Sequence, residues 1–248
     1  MLTSAVLFII VLTSAVQKEN HLTCKNLQVK IDYDSGLAFL SEKEIKDRVN
    51  FFSNNKLIGK QLSEINLSGL EKEIEKNPYV DNAEVFVDQE QKLIVEVKQK
   101  RPILRILNKD GVGYYISENN EHMPLSDKFT PYVAVASGNV EMHTNSKRDS
   151  TVQNDLYNLF EFIRKDKFLN ALVDNVYVNE DGSMDIIPKI SGHIIHFGNA
   201  EEKMKEKFDR LKVFYNEGFK KVGWTKYKAI DLTYDNQVVC EKRDSTKI

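Results

Sequence analysis

The sequence of 248 residues has two cysteines, one tryptophan and no surplus of charge of either sign: 35 basic side chains face 37 acidic ones, a formal net charge of −2. Two cysteines, Cys24 and Cys240, are too few for a disulfide scaffold. They allow at most one bridge between the chain ends, and their spacing alone does not bring them together. The even charge balance argues against a nucleic-acid surface, because binding phosphates needs a marked basic excess. No Gly-x-Ser-x-Gly nucleophile turn occurs, and neither cysteine carries a catalytic signature. Internal repeats and low-complexity stretches are also missing. What is present excludes wholesale disorder, since 41% of the residues are hydrophobic and 10% aromatic. The length suits one large domain or two small ones.

The remaining candidates for chemistry are few. Gly111-Val-Gly113 lacks the third glycine of a dinucleotide loop and follows a charged turn, so it reads as a hairpin. His193-Ile-Ile-His196 has the look of a metal pair but lies in a strand pattern, where residues three apart face opposite sides. His21, His122 and His143 are scattered, with no cysteine at zinc spacing. The carboxylates of Glu71-Lys-Glu73-Ile-Glu75 and Glu201-Glu202 sit on the polar faces of helical patterns. Lys98-Gln-Lys100-Arg101 with Arg105 is the densest basic cluster and reads as a solvated strand end, with anionic lipid or glycan as its functional alternative. The expectation is a protein without catalytic, cofactor-binding or metal-binding residues.

Charge is missing altogether from residues 1–17. Leu2 to Val16 is apolar enough to enter a bilayer, but fifteen residues at about 1.5 Å each reach roughly 22 Å, short of the ~30 Å hydrocarbon core. A signal peptide is the competing reading, with Thr13-Ser14-Ala15 as its cleavage site. Either way the body is exported. The short span and the missing basic flank lead to the expectation that part of an anchor lies upstream.

From Lys18 to Lys100 the pattern is compact. Leu27, Val29, Ile31 and Tyr33 alternate with polar residues as a half-buried strand. Ser41-Glu-Lys-Glu44 forms a capping box ahead of Ile45, Val49 and Phe52 at helical spacing. A second helix starts near Asn66 or Ser68, with Leu67, Leu70 and Ile74 on one face, and Asn77-Pro78 ends it. Ala83, Val85 and Val87 alternate, Gln89 to Gln91 turns the chain, and Leu93, Val95 and Val97 alternate back. The order β-α-α-β-β predicts a small α+β module with two helices on one face of a sheet.

Beyond Pro102 the segments are short and β-rich: Ile103 to Leu107, Tyr114 to Ile116, Tyr132 to Ala136, Val173 to Val178, Met184 to Ile187 and His193 to Phe197. Asp181-Gly182 marks the clearest hairpin. Two helices interrupt them. One carries Val152, Leu156, Leu159, Phe160 and Ile163 in a stripe opened by Ser150; the other carries Met204, Phe208, Leu211 and Tyr215, capped by Asn199 and ended by Gly218. The chain closes on two short strands around Asp235-Asn236, and Val238-Val239-Cys240 reads as a last strand that either pairs internally or lies at a sheet edge able to accept a partner's strand.

Leu57-Ile-Gly59-Lys60-Gln-Leu62, Ile65-Asn66-Leu67, Leu70-Glu71 and Asn77-Pro78-Tyr79-Val80 through Val85 together resemble the POTRA domain, in the version found in the FtsQ/DivIB family of bacterial cell-division proteins. Val97 to Ile106 resembles that family's passage out of the POTRA module. Gly113-Tyr-Tyr-Ile116 through Met123-Pro124-Leu125 and Ile230-Asp231-Leu232-Thr233-Tyr234-Asp235 resemble later signatures, with Thr233 where the family pattern has arginine. The resemblance implies a membrane anchor (1–17), a POTRA domain (18–100), a mainly antiparallel β-domain with two helices (101–240) and a polar tail (241–248). It implies a single-pass protein of the cytoplasmic membrane with its bulk outside. Its role would be a non-catalytic divisome scaffold that binds FtsB- and FtsL-like coiled-coil proteins and supports septal peptidoglycan synthesis, without cofactor, nucleic acid or small-molecule substrate. Carried over by position, Tyr234, Asn236, Val238 and Val239 are the partner-binding residues. The rival readings are another exported POTRA-type module of outer-membrane assembly or secretion, and an envelope enzyme acting on glycan.

Overall fold

The computed structural model describes residues 22–33, 36–140, 147–190, 192–200, 203–223 and 225–243. The leader, His21, His143, Glu201-Glu202 and the end of the polar tail lie outside the described residues. Among the described residues no helix is long and apolar enough to cross a membrane. The chain forms two compact units: residues up to Lys100 with Ser126–Phe129, and Arg101–Leu125 with the chain from Thr130 onward.

In the first unit the alternating and helical patterns become β1 (Asn26–Ile31), α1 (Glu42–Phe52), a 3-10 turn (Leu62–Glu64), α2 (Leu67–Glu75), β2 (Val80–Val87) and β3 (Lys92–Gln99). The sheet order is β1-β3-β2, with β1 parallel and β2 antiparallel to β3. Ser41 caps α1 by accepting from the Glu44 amide, and Asn66 caps α2 by accepting from the Gly69 amide at 2.9 Å. Val29, Ile45, Val49, Leu70, Ile74, Val85, Val95 and Val97 are buried, so one sheet face and two helix stripes make the core. β1 stops at Ile31, short of the expected Tyr33, which is 45% exposed.

Gln99, the last residue of β3, is buried within the basic stretch that reads from sequence as a solvated strand end. Its side-chain oxygen accepts from the Phe39 and Leu40 amides at 3.0 and 3.2 Å. Its amide nitrogen donates to the Asp32 and Leu37 carbonyls at 3.0 and 3.1 Å. One side chain thus satisfies four main-chain groups of the β1–α1 connection.

The second unit contains β4 (Pro102–Asn108), β5 (Gly113–Ser117), β6 (His122–Pro124), β7 (Ala134–Gly138), α3 (Lys147–Lys165), α4 (Lys167–Leu172), β8 (Val173–Val178), β9 (Met184–Pro188) and β10 (Ile194–Gly198). It continues with α5 (Met204–Val213), a π-helical turn (Phe214–Gly218), α6 (Phe219–Val222), β11 (Tyr227–Asp231) and β12 (Val239–Lys242). The strands make one mixed sheet in the order β12-β11-β10-β9-β8-β7-β4-β5-β6. Five pairings are antiparallel and three are parallel. The helix stripes pack on it: Leu156, Leu159, Phe160 and Ile163 from α3, and Phe208 and Leu211 from α5, are buried with Ile106, Val176, Ile186 and Phe197. Phe208 stacks on Phe162 at 5.4 Å between ring centroids and lies 4.8 Å from Phe197.

Several local readings are corrected. The unit has more than the two expected helices, because α4 follows α3 after a break at Asp166. α3 begins at Lys147 rather than Ser150. β7 lies two residues later than expected, and Tyr132 is 88% exposed. β6, three residues ending in a proline, carries too little alternation to read. Asn199 does not cap α5; Lys203 takes that position in the left-handed region, at φ 50. Gly218 does not end the helix, which runs on to Gly223 at φ 82. Gly218 is there for space: a Cβ on it would meet the Phe214 ring at 2.8 Å.

Asp166 caps α4 by accepting from the Phe168 and Leu169 amides, both at 3.0 Å, and it pairs with Lys212 of α5. The Lys212 hydrogen bond, with the capped Leu169 amide next, holds the carboxyl below its ordinary pKa. A depressed folded-state value means the contribution is present above the unfolded value of about 3.9 and disappears as pH falls through the folded one. Asp166→Ala is expected to cost about 1 kcal/mol at neutral pH. Thermal melts of the two proteins should converge in acid.

Candidate functional site

The C-terminal hairpin sits at one end of the nine-stranded sheet. β12 pairs antiparallel with β11, and among the described residues no strand pairs with its other side. Which of its groups face outward follows from the main-chain bonds of β11 and of Arg243. The Leu232 amide donates to the His196 carbonyl at 2.9 Å, so by alternation Asp231 and Ala229 of β11 turn their main chain to β12. Their partners across the ladder are Val239 and Glu241. The Arg243 amide donates inward to the Lys226 carbonyl at 3.0 Å, in phase with them. The N–H and C=O groups of Cys240 and Lys242 therefore point away from the sheet, the row that an added strand uses.

The ends of this edge are braced. The Arg243 guanidinium donates to the Tyr227 carbonyl at 3.2 Å and to the Gly192 carbonyl. At the other end the Asp231 carboxylate accepts from the Thr233 amide at 2.8 Å and its hydroxyl at 2.6 Å, which tightens the turn out of β11. Asn236 takes the left-handed conformation at φ 57, which asparagine tolerates. Lys203 pairs with Asp235 at 2.7 Å, and that hydrogen bond keeps the Asp235 carboxyl below its usual range. Burial pushes the Cys240 thiol up, so it stays protonated.

Beside the turn runs an open groove of about 530 Å³ between α5 with its π turn and the β11–β12 connection. Val213, Phe214 and Val238 give it an apolar floor, and Asp209, Arg210, Glu217 and Lys221 give it charge. Val213 is 64% exposed. Arg210 donates through Nη2 to the Leu232 carbonyl at 2.9 Å, while its buried Nε has no partner among the described residues. The arrangement offers a partner main-chain hydrogen bonds, an apolar slot and a guanidinium beside it. That combination suits an extended peptide with alternating side chains.

Of the residues singled out from sequence, Tyr234 and Asn236 are exposed on the turn. Val238 is half-buried against the core and lines the groove with Asn236. Val239, 40% exposed, opens β12. The four thus fall on one turn and its edge. Sequence reasoning missed Val213, Phe214 and Arg210. The available signal was Val213, an apolar residue out of phase with the Met204-Phe208-Leu211-Tyr215 stripe.

The two histidines near β10 do not converge. His193 is buried within hydrogen-bond distance of the Tyr215 hydroxyl, and burial, assisted by the charge of Arg243, lowers its pKa to about 4. His196 instead contacts Asp185 at 2.7 Å. Among the described residues no group of three or more histidine, cysteine or acidic side chains is placed to hold a metal ion. Gly111 and Gly113 belong to the β4–β5 hairpin.

A family model for the FtsQ/DivIB, C-terminal related domain matches residues 101–241, and one for the POTRA-like domain matches residues 22–98. No curated protein matches the chain.

Proposed function

The chain belongs to the FtsQ/DivIB family, and from that premise we propose that it is a non-catalytic scaffold of the bacterial division machinery that captures an FtsB-like partner, and through it an FtsL-like one, by strand addition at β12. The leader 1–17 serves as the single-pass anchor in the cytoplasmic membrane. The POTRA domain (18–100) and β-domain (101–240) work on the extracytoplasmic side, in support of septal peptidoglycan synthesis. The observation that carries this reading is the outward main chain of Cys240 and Lys242 on an edge strand next to an apolar groove. In this reading the main chain supplies affinity. Tyr234, Asn236 and Val239 give side-chain contacts, and Val238 forms the groove wall. Arg210, on α5 across the groove, takes a partner carboxylate and supplies a charge beside the turn where Thr233 stands in place of the family's arginine.

Tyr234→Ala with Val239→Asp, made in the full chain, is the test. Retention of the FtsB-like partner in a pulldown is expected to fall roughly tenfold or more, as loss of an exposed aromatic anchor and an apolar contact commonly costs over 1 kcal/mol. Unchanged retention by a protein that keeps its thermal midpoint contradicts the reading.

A further inference from the structure

Where the chain enters the first unit, it is tied to the turn that follows α1. The Cys24 amide donates to the Lys60 carbonyl at 2.9 Å, the Gly59 amide to the Cys24 carbonyl at 2.7 Å, and the Leu62 amide to the Leu22 carbonyl at 2.9 Å. Thr23 and Gln61 complete this joint as an isolated antiparallel bridge. Around it, apolar side chains face outward although the interior is close by. Phe51 is 77% exposed and Ile58 59%, with Phe52 and Leu22 at 39% and 36%, while Leu57 between them is buried. Such a gathering on a small unit marks a contact surface.

Its charge is equally uneven. Residues 51–62 include Lys56 and Lys60 and no acidic residue, and Lys25 lies on the paired segment, in a chain whose charges otherwise balance. The nearby β2–β3 turn, whose Gln91 carbonyl accepts from the Lys25 amide, carries two carboxylates, and both are engaged locally. Asp88 accepts from the Glu90 and Lys92 amides, and Glu90 pairs with Lys92. Aromatic and aliphatic side chains rimmed by lysines are the composition of a surface that lies in a lipid headgroup layer.

The leader says what covers it. Val16, the last residue of the apolar stretch, precedes Leu22 by six residues, a reach of at most about 22 Å at 3.6 Å per residue. Headgroup layers are about 5–7 Å thick on each side of the hydrocarbon core. A leader seated in a bilayer therefore delivers this joint close to the lipid surface.

We propose that this face of the first unit rests on the outer surface of the cytoplasmic membrane, with Phe51 and Ile58 entering the interface and Lys25, Lys56 and Lys60 meeting anionic headgroups. The proposal rests on the anchored topology given above, and its test reads the two separately. The full chain carrying Trp224→Phe and Ile58→Trp is reconstituted into vesicles of phosphatidylethanolamine and phosphatidylglycerol with brominated acyl chains. A second chain carries Trp224→Phe and Tyr33→Trp, which puts the only indole beyond the far end of β1. Both variants are checked for unchanged circular dichroism, and both are floated with the vesicles after an alkaline wash.

Flotation with quenching of the Ile58→Trp indole roughly threefold above that of the Tyr33→Trp indole is the expected result, since interfacial side chains sit about 5–10 Å into the headgroup boundary. Flotation with equal quenching overturns the proposal and leaves the face to a protein partner. Loss of the chain from the vesicles overturns the anchored topology, and the proposal with it.

Discussion

Cys240→Pro is expected to remove most capture of the FtsB-like partner while leaving the protein folded. The Cys240 amide points away from β11, so proline removes no bond of the existing ladder. Prolines are tolerated on edge strands for this reason. The ring eliminates the central outward donor of β12 and puts bulk where a partner strand would lie. One hydrogen bond lost and one approach blocked together suffice for a drop of about tenfold or more in partner affinity. Lys242→Pro acts on the other outward amide and should weaken binding in the same direction. Glu241→Pro is the contrast: its amide faces β11, so this variant should lower the thermal midpoint as well. Titration calorimetry with the partner, beside thermal melts of the three variants, checks the pattern. Equal effects of all three on binding, with no difference in stability, would show that the facing of the edge is assigned wrongly.

The largest stability effect is expected at Gln99, in a unit that does not contain the edge strand. Gln99→Leu keeps the volume but removes three buried bonds, to the Phe39 and Leu40 amides and the Leu37 carbonyl, and a part-buried one to the Asp32 carbonyl. Each buried main-chain group left without a partner costs about 1–3 kcal/mol, and relaxation toward water recovers part of that. A net loss of roughly 3 kcal/mol or more is therefore expected, a large share of the 5–15 kcal/mol typical of a folded protein. Lys98→Leu, one residue earlier, removes only a side chain about half exposed and paired with Asp81 at 2.7 Å. It should be nearly silent, as surface ion pairs contribute about 0–1 kcal/mol. Urea denaturation of the two variants separates these expectations.

These two sites also show what a sequence reveals by itself. Local signals were legible. Ser41 with Glu44 fixed the start of α1, the alternation of Val95 and Val97 marked β3, and Asp181-Gly182 placed the β8–β9 turn with Gly182 at φ 89. The helix faces at Leu70, Ile74, Phe208 and Leu211 were legible for the same reason, since burial repeats with the helical period. Gln99 was not, because its four bonds reach across some sixty residues to a loop. Its neighbours Lys98 and Lys100 made the strand end look solvated. Gly218 was misread because a glycine that relieves a ring contact looks, in sequence, like one that ends a helix. The edge position of β12 depends on β10 pairing in parallel with β11, Ile195 beside Ile230, a long-range choice that alternation does not encode. The order of strands 12-11-10-9 across the sheet belongs to the fold as a whole, and the groove of Val213 and Phe214 exists only once that order places the hairpin beside α5.

The scaffold reading depends most directly on what happens to individual amides of β12. Hydrogen exchange resolved to single residues, measured with and without the FtsB-like partner at saturation, reads them one at a time. Strand addition at β12 requires that Val239 and Glu241, facing β11, are protected in both states. Cys240 and Lys242 exchange rapidly in the free protein and become protected on binding, alternating with their neighbours as in a newly formed ladder. Partner binding that leaves Cys240 and Lys242 exchanging as fast as before would contradict strand addition at this edge.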